Sequence, residues 1–199
     1  MPNHHPSAAA LLDFVASAQP MAANLPVMIH VQDCADCRAV IAEFGQDDDL
    51  ALPISPETAG GLEARAPSPG RRRRTTFHGV YRSGALALLD FQIDRRRWIA
   101  PGAWIARVHA PTHHRWRAIV LAIGARGRIP DRGHRSPEYI HVLQGAFRDR
   151  YRTFQVGDFL QLEIGDGPVL QVTSEGPCIC LIAGQKRRAW QNALRFFRS

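Results

Sequence analysis

His30-Val31-Gln32-Asp33-Cys34-Ala35-Asp36-Cys37-Arg38 is the stretch on which the amino-terminal fold turns. The histidine and the two cysteines stand at offsets of four and seven residues. On a helix, or across the end of one helix and the start of the next, that spacing puts all three side chains on one side, where a single ion can reach them. Zinc in a structural site takes four tetrahedral ligands of these types, so one more is required. His5, ahead of the first predicted helix, is the natural fourth, and His4 is equally near in sequence. A Cys-x-x-Cys pair can instead mark thiol redox chemistry, but such pairs usually follow a strand in a βαβ setting, and nothing strand-like precedes Cys34.

Outward from this string the pattern is helical. Ser7 is an N-cap with Pro6 before it, and Leu11, Leu12 and Val15 recur at helical spacing, so a first helix is predicted to about Ala18, where Pro20 helps stop it. A second is predicted from near Asn24 with Pro26 in its first turn, and a third from about Asp36 to Phe44, ending at Gly45. Residues 1–57 therefore read as a small helical domain tied together by zinc. Residues 58–76, rich in Pro, Gly and Arg and including Arg71 to Arg74, read as a linker. A further helix is expected within 77–94, from about Phe77 to Leu89. Beyond it the period changes to two. Trp104–His109, Arg117–Ile123, Tyr139–Leu143, Phe159–Ile164 and Cys178–Ala183 read as strands separated by glycines, so 95–199 is predicted to be a small antiparallel barrel or jelly roll. The expected fold class is multi-domain α + β.

Charge divides the chain in the same place. Residues 1–64 hold nine acids and one base, Arg38, a net of −8; residues 65–199 hold the other 24 bases and nine acids, a net of +15. An acidic module suits a basic protein partner, and a basic remainder suits either an anionic partner or a solvated surface in an Arg-favouring composition. No run reaches the roughly 20 apolar residues of a membrane helix. Ala8 to Ala18 has no Lys or Arg before it and is interrupted by Asp13, unlike a signal peptide. Four cysteines, two of them in a Cys-x-x-Cys, fit metal or redox use in a reducing cytoplasm.

The string His4-His5-Pro6-Ser7, the Leu-rich helix after it and H-x3-C-x2-C-R together resemble the zinc-binding anti-sigma fold, in particular the ChrR family, whose members carry a cupin domain behind it. Trp98-Ile-Ala-Pro101-Gly102 resembles the lead-in to that cupin. Glu138-Tyr139-Ile-His-Val-Leu143-Gln-Gly145-Ala-Phe147 resembles its first barrel motif, and Gly157-Asp158-Phe159 with Gly176-Pro177-Cys178 its second. The resemblance implies a cupin metal site at four positions, which here read Arg132, His134, Glu138 and Pro168. Only His134 and Glu138 keep ligand chemistry, fewer than the three protein ligands of an open site, so the barrel is expected to hold no metal. Strand parity sets His141 on the face opposite to Glu138, Ile140 and Val142, and Asp131, Glu163 and Asp166 remain as neighbours. Cys178 and Cys180 share a strand face, as a sensing thiol pair or as small core residues.

The resemblance implies a cytoplasmic non-enzymatic regulator: zinc at His5, His30, Cys34 and Cys37, a sigma factor of the extracytoplasmic-function class as partner, and release by a stress signal, with oxidation the first candidate. Two rivals stand beside it. A cupin-fold metal-dependent enzyme or ligand-binding regulator needs a complete inward ligand set, and a DNA-binding regulator needs more than the sequence-indifferent phosphate contacts of an Arg run.

Overall fold

The computed structural model describes residues 2–44, 91–110, 116–129, 136–165 and 169–185. Three helices come first: α1 (Ala8–Val15), α2 (Met21–Asp33) and α3 (Ala35–Phe44). Ser7 caps α1 as expected, its hydroxyl accepting from the Ala10 amide at 3.2 Å. The helix ends earlier than expected. Ser17 sits in the left-handed region at φ 51°, with Ser17 N bonded to Phe14 O and Ala18 N to Asp13 O. These two bonds are the Schellman pattern, satisfying the last carbonyls without the glycine that usually marks it.

The second helix starts before Asn24. Pro20 stands at its N-cap and the carbonyl of Pro20 receives the Ala23 and Asn24 amides, so Pro26 falls in the second turn. It carries no polar face: Ala22, Ala23, Leu25, Val27, Ile29, His30 and Val31 are all buried. A helix apolar all round is one covered on both sides. Ala22, Leu25 and Ile29 pack on a sheet, while Ala23, Val27 and Val31 pack on Leu11, Val15 and Ile41 of the other two helices.

The strands follow as β1 (Gln92–Ile93), β2 (Arg97–Ala100), β3 (Ala103–His109), β4 (Trp116–Ile123), β5 (Arg128–Ile129), β6 (Glu138–Gln144), β7 (Ala146–Arg148), β8 (Thr153–Gln155), β9 (Phe159–Leu162), β10 (Leu170–Val172) and β11 (Cys178–Gln185). One sheet runs β1-β3-β4-β11-β6-β9, with β2 also paired to β3; the other runs β5-β10-β7-β8, and every pairing is antiparallel. The helix expected from about Phe77 to Leu89 lies outside the described residues, and Gln92–Ile93, at the end of the 77–94 segment, pair as a strand with Val108 and His109.

The sheets enclose a core that includes Ile140, Val142, Phe147, Phe154, Leu160 and Val172, as in a cupin-like sandwich. Alternation sends Tyr139, His141, Leu143, Ile179 and Leu181 to the opposite face, onto the helices. The parity read for His141 is therefore observed. Gly145 closes the β6–β7 turn at φ 72°, where a Cβ would lie 2.3 Å from the Pro177 carbonyl oxygen, so only glycine fits. The described residues thus form three layers: helices, large sheet, small sheet. No helix among the described residues is long and apolar enough to cross a membrane.

Candidate metal centre

The helical layer brings His5, His30, Cys34 and Cys37 together, with one donor atom from each lying within 4.8 Å of all the others. His30 lies in the last turn of α2. Cys34 is the extended residue between α2 and α3, at φ −107° and ψ 111°, and its amide still bonds to His30 O. Cys37 follows in the first turn of α3, so the spacing acts across a helix junction. Arg38 fastens that junction: its guanidinium donates to the carbonyls of Val31 at 3.0 Å and Gln32 at 2.6 Å, which a helix end leaves without partners.

The donor set is compact. His5 Nδ1 lies 3.3 Å from His30 Nε2, 3.4 Å from Cys34 Sγ and 3.5 Å from Cys37 Sγ. Cys37 Sγ lies 3.3 Å from His30 Nε2. His30, Cys34 and Cys37 are buried and His5 is exposed, so the cluster opens to solvent on one side. His30 Nδ1 donates to the Gly157 carbonyl at 2.9 Å, which fixes its tautomer and leaves Nε2 with a lone pair toward the cluster.

Burial, reinforced by the nearby His5 ring and opposed by the Gly157 hydrogen bond, pushes the His30 pKa down to about 4, so the imidazole is neutral at physiological pH. Burial and the adjoining Cys34 push the Cys37 thiol up to about 12. Reactive Cys-x-x-Cys cysteines have lowered values. Here no protein cation among the described residues offsets the thiolates, and a bound metal ion is the charge that would. The cluster can hold one metal ion.

His4 is not part of it. Its Nδ1 meets Asp158 Oδ2 at 3.1 Å and its ring lies against Phe154, which separates it from His5. Asp158 is buried, and although burial would raise its pKa, the amides of Gln155 and Asn3 together with His4 hold it below the usual carboxylate range. Gly157, Asp158 and Phe159, more than 100 residues from the Cys pair, border the site unforeseen by local spacing.

Only part of the expected barrel site falls among the described residues. Glu138 begins β6 and passes over Gly184 of β11. His134, Arg132, Asp131, Asp166 and Pro168 lie outside the described residues. Glu163 is exposed beyond β9, bonded by Gln161 Nε2. Cys178 and Cys180 share the inner face of β11 as expected, both buried and unbridged, with sulfurs 3.6 Å apart.

No protein-family model matches the chain. Over 202 aligned residues it is 32% identical to the anti-sigma-E factor ChrR of Cereibacter sphaeroides, covering 90% of this chain and 88% of that protein. The chain belongs to the ChrR family of anti-sigma factors. The crystal structure of Rhodobacter sphaeroides SigE in complex with the anti-sigma ChrR matches with a TM-score of 0.65 at 27% identity, over 92% of this chain and 99% of that one. A cupin-like protein of unknown function from Ralstonia eutropha matches with a TM-score of 0.40 at 10% identity, over 46% of this chain and 62% of that one. The ChrR likeness thus spans helices and barrel alike.

Proposed function

We propose that this protein is a cytoplasmic, zinc-dependent anti-sigma factor that sequesters a sigma factor of the extracytoplasmic-function class and represses its transcription. Kinship with ChrR along nearly the full length of both chains carries the reading. The donor set supports zinc in particular. With bonds of about 2.0–2.1 Å to nitrogen and about 2.3 Å to sulfur, a tetrahedral zinc has edges of about 3.3–3.4 Å between nitrogens and about 3.5 Å between nitrogen and sulfur. The His5–His30 separation is 3.3 Å, those from His5 to the two sulfurs are 3.4 and 3.5 Å, and that from His30 to Cys37 is 3.3 Å.

His5 Nδ1, His30 Nε2, Cys34 Sγ and Cys37 Sγ would hold the ion, whose role is structural: it supplies the positive charge that lets both thiols ionise and joins the start of the chain to the α2–α3 junction. Sigma surfaces that meet DNA phosphates are basic, and a segment of net −8 complements them, steering association while apolar contacts supply affinity. Oxidation of Cys34 and Cys37 would remove the thiolates and release the ion, a route by which oxidative stress frees the sigma factor. Neither barrel nor helices carry out catalysis in this reading.

The test is co-purification of the tagged full chain from its own cells. One zinc per chain and a stoichiometric sigma factor are expected. The Cys34→Ser, Cys37→Ser double variant should lose both, and its continued capture of sigma would overturn the zinc dependence.

A further inference from the structure

Asn3 and His4 belong to no helix or strand, yet both are tightly held. The fully buried carboxylate of Asp158 accepts the Asn3 amide at 2.6 Å and the His4 amide at 3.1 Å through Oδ1. Its Oδ2 accepts the Gln155 amide at 2.9 Å and meets His4 Nδ1 at 3.1 Å. The Phe159 amide donates to His4 O at 3.0 Å, and the Ser7 hydroxyl to Gln161 Oε1 at 3.0 Å. Residues 3–7 therefore run along β9, the edge strand of the large sheet, covering groups that an edge leaves open.

The same turn reaches a second ligand. Gly157 O takes the Nδ1 proton of His30, and the Phe159 ring meets the His30 ring edge-on at 5.9 Å between centroids. The turn is itself anchored to β6, with Gly157 N on Val142 O at 2.9 Å and Val142 N on Asp158 O at 3.0 Å. An aspartate that only closed its own turn would need the Gln155 amide and nothing more. Three further contacts from the residues just before His5 show what the carboxylate holds.

We propose that Asp158 is a positioning residue of the metal centre: its carboxylate clips Asn3–His4 to the barrel so that His5 Nδ1 stands beside His30, Cys34 and Cys37. The inference rests on the metal-binding reading of that cluster. It makes the barrel a structural part of the site, so that losing the Asp158 carboxylate releases His5 while the other three ligands stay in place.

The experiment measures zinc affinity of the full chain by competition with a chromophoric chelator. Asp158→Ala should weaken binding about 10- to 100-fold, the usual effect of removing an outer partner of a ligand. In the cobalt-substituted protein the visible bands should shift as His5 leaves, with the thiolate charge-transfer bands retained. Because Asp158 acts through His5, adding Asp158→Ala to His5→Ala should cost nothing further. Amide exchange of the unmutated protein gives an independent reading: by linkage, zinc should slow exchange at Asn3 and His4. Wild-type affinity in Asp158→Ala, additive losses in the double variant, or exchange at Asn3 and His4 indifferent to zinc would each overturn the proposal alone. A wild-type chain that binds no zinc would overturn the metal reading and this inference with it.

Discussion

His30 and His141 lie side by side between helices and sheet, their ring centroids 5.8 Å apart and both rings buried. Burial pushes His141 to about 3, assisted by the His30 ring, and His30 to about 4, against 6.5 for a free imidazole. As pH falls below 6.5 the unfolded chain takes up protons that the folded chain refuses, so the stability these groups contribute is full above 6.5 and is lost toward about pH 4 for His30 and about pH 3 for His141. Each contributes a slope of up to about 1.4 kcal/mol per pH unit in that window. Urea midpoints of the metal-free protein should therefore fall from pH 7 to 5, less steeply in His141→Gln; a midpoint that rises on acidification would contradict this. The same scale explains how His5 and His4, indistinguishable by position, are separated: Asp158 takes His4, and no local pattern announces a partner 154 residues away.

Among the elements, α2 joins the layers. Leu25 and Ile29 are fully buried against Trp104, Val120 and Leu181, each contributing about 1.5–3 kcal/mol by burial. Leu25→Ala should lower unfolding stability by about 2–5 kcal/mol, measured by denaturant melts, with the near-ultraviolet signal of Trp104 changing as the helix loosens. The longer elements were legible because their periods repeat: five strands and three helices fall where alternation and helical spacing put them. The ends were not. Ser17 closes α1 in a conformation usually announced by glycine, and Met21 to Ala23 extend α2 ahead of a proline that fits a first turn equally well. β1, β5, β7, β8 and β10 span two or three residues each, too short for any period to register.

For the whole molecule, the layering changes what a division at residues 58–76 means. The outer face of the large sheet, with Trp104, Val108, Val120, Leu143 and Leu181, is covered by α2 rather than by water. A chain lacking residues 2–44 should therefore self-associate or precipitate more than the full chain, read by light scattering of the two side by side; a monodisperse truncated barrel would show that the helices are dispensable to it. His30, Cys34 and Cys37 were readable because one short string holds them. The barrel's contribution was not, because the contacts that deliver it join the two ends of the sequence.

The run of hydrogen bonds from Val142 through Gly157 to His30 also has a genetic consequence. A selection for constitutive expression of the regulated genes would collect lesions near residues 142 and 157 alongside those in the histidines and cysteines. Mapped on the primary sequence they would look like a separate locus of regulation, although the defect they produce is the same one.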